Sequence, residues 1–258
     1  MLHVWPVEVL ADNYVWVLEQ EGSPRVVVVD PGDASPVIAA LTERNLEIAA
    51  VILTHHHHDH VGGLAEIVDC FHPAVFGAGS DGIPGVDHPV EGGDLIPLTD
   101  LDLELEVLSL PGHTANHLGF LGSGIVLVGD TLFAGGCGRI FEGTVEQMHQ
   151  SLTGLAGLPR ETKAYCAHEY TVANLRFGRK VEPVNTAIAD RLAAAEAARN
   201  EDQPTVPSTI GWELETNVFL RCNHPAVADA AEARVGRPLR SSAEVFGVVR
   251  AWKDDWRG

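Results

Sequence analysis

Apolar runs along the chain stop repeatedly on polar residues with chemical capability. Tyr14 to Leu18 and Val26 to Val29 are short β-rich runs, the second ending in Asp30-Pro31-Gly32-Asp33. Ala34 to Leu41 is apolar at helical spacing with Pro36 near its start, which predicts a helix. The run from Ala49 to Leu53 reads as a buried strand. It is stopped by Thr54-His55-His56-His57-His58-Asp59-His60, after which Gly62-Gly63 precedes the apolar-periodic Leu64 to Val68. Residues 77 to 94, rich in Gly, Pro and Asp, read as a connection. Leu101 to Leu108 alternates apolar with acidic residues, the period of a half-buried strand, and ends at Pro111-Gly112-His113-Thr114. Gly124 to Gly129 ends at Asp130, and Ala164 to Ala167 ends at His168-Glu169-Tyr170. Four predicted strands thus each finish on a possible metal ligand.

Beyond residue 173 the pattern turns helical. Asn185 to Asn200 is Ala-rich with Ile188, Leu192 and Ala195 at helical spacing, and Ser241-Ser242-Ala243-Glu244 predicts a capping box opening a last helix. That helix carries Val248, Val249 and Trp252 for packing. Arg250 and Lys253, three apart, occupy a neighbouring face, a spacing that by itself equally describes a solvated basic face.

Charge adds a boundary to this pattern. The net charge is −19, which excludes a non-specific nucleic-acid or membrane-surface binder, because either needs a basic footprint. Residues 1 to 173 hold 5 Lys/Arg against 24 Asp/Glu, whereas residues 174 to 258 hold 12 of each. The negative excess therefore lies wholly in the first part. The expectation is a catalytic domain over 1–173 and a helical, substrate-binding domain over 174–258 able to offer cations to an anionic substrate. Cys70, Cys137, Cys166 and Cys222 are widely separated with no CxxC pair, and the opening Met1-Leu2-His3-Val4-Trp5-Pro6 has neither a basic segment nor a long apolar one. A reduced, cytoplasmic protein is expected, and a monomer.

The histidine run concentrates the chemistry. In an extended segment residues two apart point the same way, so His55 and His57 can face one point, while Asp59 and His60, in the following turn, can face another. Imidazole with carboxylate suits zinc, iron or manganese. If the other strand ends lie on one edge, His113, Asp130 and His168 join them. Seven ligands suffice for two ions sharing a carboxylate. His56 and His58 alternate away from their neighbours, and His117 is better placed to orient a ligand than to be one.

These residues resemble the metallo-β-lactamase superfamily and, within it, the glyoxalase II (hydroxyacylglutathione hydrolase) family over nearly the whole chain. The family-specific matches are Gly129-Asp130-Thr131-Leu132-Phe133, Gly136-Cys137-Gly138-Arg139, Phe141-Glu142-Gly143-Thr144, His168-Glu169-Tyr170-Thr171, Val206-Pro207-Ser208-Thr209 and Asn217-Val218-Phe219-Leu220-Arg221. The resemblance implies an αββα sandwich followed by a helical domain that closes the substrate site. It implies His55, His57 and His113 on one ion, Asp59, His60 and His168 on the other, and Asp130 shared. Two divalent ions are implied, zinc first, iron or manganese otherwise, with Asp59 and Asp130 as the catalytic carboxylates. Arg139, Phe141, Tyr170, Arg250 and Lys253 would line the site of a glutathione thioester such as S-D-lactoylglutathione, hydrolysed to free thiol and a 2-hydroxy acid in methylglyoxal detoxification. The chain departs from the family at Phe141, where a tyrosine is common, and at Val218, where a proline is usual. The rivals are a hydrolase of another acyl-thiol carrier and a mononuclear iron persulfide dioxygenase of the same fold.

Overall fold

A computed structural model describes residues 1–257. It divides into two compact units, one formed by Met1–Ser109 with Asn116–Gly129, the other by Leu110–Ala115 with the chain from Asp130 onward. The functional division expected at residue 173 is of a different kind from this division by compactness.

The first unit begins with β1 (Leu2–Val9), β2 (Asn13–Gln20), β3 (Arg25–Val29), α1 (Ala34–Arg44), β4 (Glu47–Ile52), α2 (His58–Val61), α3 (Leu64–Phe71), β5 (Ala74–Ala78) and β6 (His88–Val90). The six strands form one sheet in sequence order, antiparallel from β1 to β3 and parallel from β3 to β6. Strands β2 and β3 are almost wholly buried and correspondingly apolar, and β1 sits at the edge, where Pro6 removes no interior ladder bond. Helix α1 starts at Asp33, whose side chain accepts from the Ser35 N–H, and ends at Asn45 in the left-handed region at φ 56°. Eleven residues are marginal as an isolated helix. Burying Val37 and Leu41 among Val26, Val28, Val51 and Ile67, at about 1.5–3 kcal/mol per fully buried side chain, is what holds α1.

The unit continues with β7 (Leu95–Leu98), β8 (Leu103–Ser109), β9 (Leu118–Gly122) and β10 (Ile125–Gly129), adjacent antiparallel strands in the order β10-β9-β8-β7. Alternate residues of β8 are buried, as its period predicts. Strands β9 and β10 are joined by Ser123-Gly124, both at positive φ, a turn whose twist suits a two-residue hairpin.

The second unit holds the β11 (Leu132–Phe133) and β12 (Gly136–Cys137) hairpin, α4 (Val145–Ala156), β13 (Lys163–Cys166), α5 (Thr171–Val181), α6 (Thr186–Asn200), β14 (Ser208–Thr209), which pairs with β13, and α7 (Ile210–Thr216), α8 (Pro225–Val235) and α9 (Ser242–Asp255). Helix α6 begins where expected, with Asn185 as its cap. The expected capping box of α9 is only half made. The Ser241 side chain accepts from the Glu244 N–H, but the Glu244 carboxylate faces the Arg240 N–H and Arg237 instead of returning to Ser241. A complete box occurs at α4, between Thr144 and Gln147, where the sequence reading placed no helix. The connection over residues 77 to 94 also contains a strand, β6, which escapes periodicity because it is three residues long, mostly exposed and carries Pro89 at the edge of the described sheet. No helix among the described residues is long and apolar enough to cross a membrane.

Candidate metal centre

The parallel strands β3 and β4 end side by side, and the first cluster of candidate ligands is built on their carboxyl ends. The Asp30 N–H donates to the Ile52 carbonyl at 3.0 Å, and Asp30 then turns into the left-handed region at φ 52°. This aims its buried carboxylate at the next turn. Asp30 Oδ1 accepts from the Thr54 N–H at 2.7 Å, and Oδ2 accepts from the Thr54 hydroxyl at 2.7 Å and faces His60 Nδ1 at 3.0 Å. Thr54 Oγ1 in turn lies 3.0 Å from His55 Nδ1. The 30–33 turn passes so close to α2 that a Cβ at Gly32 would lie 1.9 Å from the Asp59 carbonyl oxygen, so only glycine fits.

His55 and His57 face each other, Nε2 to Nδ1 at 3.1 Å, and the His55 and His60 rings lie 4.1 Å apart. Asp59 sits in a helical turn, its Oδ2 accepting from Asn13 Nδ2 at 3.0 Å and lying 3.6 Å from His60 Nε2. The remaining histidines are placed differently. His56 turns to Asp81 at 3.2 Å, which also accepts from Asn116, His58 is exposed, and His117 is buried with its ring stacked on His55 at 4.8 Å.

The second unit carries its own cluster. Asp130, His113 and His168 are all buried, and the Asp130 carboxylate turns one oxygen to each imidazole: Oδ2 lies 3.4 Å from His113 Nε2, and Oδ1 lies 3.3 Å from His168 Nε2. His113 Nδ1 donates to the Arg139 carbonyl at 2.8 Å, and the loop around it is tied by the Phe141 N–H to the His113 carbonyl and by the Ala115 N–H to Glu142. His168 is flanked by Tyr170, stacked at 4.8 Å, and by Phe133, edge-on at 5.7 Å.

This donor set fits divalent ions on its own chemistry. His55, His60 and His113 each have Nδ1 engaged by a hydroxyl, a carboxylate or a carbonyl. Those partners fix the tautomer that leaves the Nε2 lone pair for coordination, the arrangement typical of metal-ligating imidazoles.

Beside Asp130 and His113 the second unit has a cavity of about 390 Å³, lined also by Arg139, Phe141, Tyr170, Arg250 and Lys253. Arg250 is only 6% exposed. Its guanidinium donates to the Cys137 carbonyl at 2.9 Å and to Asp254 at 3.0 Å, over the Phe219 ring. A solvated basic face therefore does not describe it. Lys253 Nζ donates to the Ala173 carbonyl at 3.1 Å between the rings of Phe177 and Trp256, and burial, helped by the Arg250 charge, pulls its amine down to about 8. Arg139 is largely exposed, 3.5 Å from Asp254. Phe141, also exposed, lies edge-on to His113 at 5.3 Å. Burial raises the Cys137 thiol above its usual value despite Arg250, so this is an inert wall residue. A larger cavity of about 540 Å³, lined by Ala194, Ala198, Pro207 and Trp212, holds none of the predicted ligands or carrier-binding residues.

Comparison with known proteins decides the family. Residues 11–168 match the metallo-β-lactamase superfamily, and residues 169–256 match the hydroxyacylglutathione hydrolase C-terminus. A hydroxyacylglutathione hydrolase of Halorhodospira halophila is 49% identical, covering 96% of this chain and 97% of its own length. The chain belongs to the hydroxyacylglutathione hydrolase family. Another member, from Nitrosomonas europaea, is 44% identical over 100% of this chain and 98% of its own. The solved structure of TTHA1623 in a di-iron-bound form superposes with a TM-score of 0.60 at 25% identity, covering 84% of this chain and 100% of that one. The fold is accordingly the αββα metallo-β-lactamase sandwich with a C-terminal helical region, and the protein is a hydrolase of that family.

Several residues that hold the candidate ligands in place were not singled out from sequence. Asp30 and Thr54 were the most legible, since Asp30 ends a predicted strand as the other polar strand-end residues do. Asn13 and Asp81 gave no local signal, because their partners are 46 and 25 residues away.

Proposed function

We propose that this chain hydrolyses S-(2-hydroxyacyl)glutathione thioesters, S-D-lactoylglutathione among them, using two divalent ions held by His55, His57 and His113 and by Asp59, His60 and His168, with Asp130 common to both. The observation that carries the reading is the Asp130 carboxylate, which offers one oxygen toward an imidazole of each ligand set. The full-length family match supports the substrate class, and the di-iron form of TTHA1623 supports two ions. Bound there, such ions would lower the pKa of a water to about 7, so that it could serve as nucleophile, and would stabilise negative charge at the thioester carbonyl oxygen. Zinc is the first choice for this donor set, with iron or manganese compatible.

The chain's own side chains divide the rest of the work. Asp30 and the Arg139 carbonyl orient His60 and His113. Arg139 and Lys253 meet the carboxylates of the thiol carrier, while Arg250 holds the Cys137 carbonyl at the cavity wall and adds positive potential. The leaving thiolate, with a conjugate-acid pKa of about 8.5, departs without a dedicated general acid. Residues 1 to 173 thus form the catalytic part, and residues 174 to 258, with 12 of the 17 cations, the carrier-binding part. We take the enzyme to act in the cytoplasm, where free thiols such as Cys166 and Cys222 stay reduced, and to act as a monomer.

The test is a metal count with a substrate comparison. About two ions per chain are expected, with faster turnover of S-D-lactoylglutathione than of other acylated thiols. One ion at saturation overturns the binuclear reading. Two ions with preference for another acyl-thiol would trace to Phe141, whose ring stands where a hydroxyl would bond the carrier, and would remove glutathione from the proposal.

A pH effect follows from Lys253. The groups acting on it are Arg250, Cys137 and Asp254, and its depressed pKa of about 8 leaves it cationic below pH 8 and neutral above. Carrier affinity should therefore weaken as pH rises through about 8, seen as KM increasing for the glutathione thioester but not for a small neutral thioester. Lys253→Met should remove that limb of the profile. A wild-type KM flat from pH 7 to 9 would show that Lys253 does not meet the carrier.

A further inference from the structure

The hairpin of β11 and β12 runs from Thr131, beside Asp130, to Gly138, and contributes Phe133, Cys137 and Gly138 to the cavity wall. Its tip lacks ladder partners and is held by side chains. Asn174 Nδ2 donates to the Ala134 carbonyl at 3.2 Å, and Asn217 Nδ2 donates to the Gly136 and Phe133 carbonyls at 2.9 and 3.3 Å. The Gly135 N–H donates to Glu213 Oε2 at 2.9 Å. Side chains reach the hairpin this closely because Gly135 at its tip has φ 70° and the next residue is also glycine: a Cβ at Gly136 would lie 2.4 Å from Asn174 Nδ2.

Glu213, on α7, is fully buried. Besides Gly135, its Oε2 accepts from Asn217 Nδ2 at 2.8 Å, and its Oε1 accepts from Arg191 Nη2 at 2.7 Å and from the Ser208 hydroxyl. One carboxylate thus takes four donors, two from the hairpin's support and two from α6 and β14. A buried charge is costly to desolvate, and the cost is offset only when its partners are this complete. Such an investment beneath a glycine tip that carries part of the cavity wall is unexplained by packing alone.

We propose that Glu213 is a positioning residue for the carrier cavity: through Gly135 and Asn217 its carboxylate sets the hairpin whose Phe133, Cys137 and Gly138 form the wall that the thiol carrier meets. The assignment of that cavity to the carrier rests on the function proposed above. Glu213 itself is outside the cavity lining and the proposed ligand set.

The test compares Glu213→Gln with Glu182→Gln in the metal-loaded enzyme. Glu182 is a similarly buried carboxylate, but it is paired with Arg221 at 2.7 Å and bonded to Asn185 instead of to the hairpin. A Gln at 213 keeps the volume but offers one acceptor where four donors converge. KM for S-D-lactoylglutathione should then rise about fivefold to tenfold with metal content unchanged and kcat altered less, because a lost hydrogen bond at the wall weakens uniform binding. Both variants should lower Tm, but Glu182→Gln should leave KM alone. Asn217→Ala should reproduce the KM effect, and the double variant Glu213→Gln with Asn217→Ala should fall short of the summed effects, as expected for one network. A Glu213→Gln enzyme with a lower Tm and unchanged KM overturns the proposal. Should the parent enzyme fail on glutathione thioesters, the function reading falls separately, and amide hydrogen exchange decides this one. Exchange at residues 133 to 137 should accelerate in Glu213→Gln and not in Glu182→Gln; equal exchange in both sinks it.

Discussion

Asp130→Ala is expected to lose bound metal and to reduce turnover by about a thousandfold or more, because Lewis-acid and nucleophile-generating terms of several kcal/mol go together. The geometry sets this residue apart from the other candidate ligands. Each of its carboxylate oxygens lies within 3.4 Å of an imidazole, His113 on one side and His168 on the other. One substitution therefore removes a donor from both proposed ions and leaves two imidazoles without their anionic neighbour. His56→Ala is the matched control. Its side chain leans on Asp81 and is partly exposed, so the variant should keep both ions and most activity. Metal analysis of the two purified variants checks the pair. Equal loss in both would mean that the wrong face of the histidine run has been taken as the ligand face.

Asp30→Asn should lower metal affinity about tenfold to a hundredfold with the fold retained, the usual scale for an outer hydrogen-bond partner of ligating histidines. The carboxylate of Asp30 meets the Thr54 N–H, the Thr54 hydroxyl and His60 Nδ1 together. An amide has one oxygen for these three donors and turns an NH2 toward at least one of them. Asparagine is the informative replacement, since it tolerates the left-handed backbone that Asp30 adopts at φ 52° and so removes charge without adding strain. Isothermal titration of the metal-free variant against wild type measures the effect. Unchanged affinity would assign Asp30 to the strand-end turn alone.

How much was legible in the sequence depended on how local the cause was. His55, His57, Asp59 and His60 fall within six consecutive positions at the end of an apolar run, and the alternation of an extended chain is enough to pair His55 with His57. Helix α6 was legible for the same reason, since spacing and the Asn185 cap are neighbours in sequence. Helix α4 was not: its capping box at Thr144 and Gln147 is local, but the polar Glu146, Gln147, His149 and Gln150 mask an apolar face of Met148, Leu152 and Leu155. At α9 the same local reasoning overreached, because Glu244 had competing donors in Arg237 and Arg240.

By itself, then, the sequence determined where apolar strands end, which donor-type residues stand at those ends, and the family to which the motifs belong, because each of these is carried by spacing along the chain. Only the tertiary structure decided which groups orient those donors. Asp30 reaches His60 across 30 residues, Arg250 reaches Cys137 across 113, and Glu213 reaches Gly135 across 78. A hydrogen bond or a buried charge is settled by which partners remain once water is excluded, and that depends on packing between segments whose separation along the chain leaves no periodic trace. Arg250 is the plain case: spacing on α9 allows a solvated cation, whereas burial against Cys137, Asp254 and Phe219 turns it into a wall support of the cavity beside Asp130.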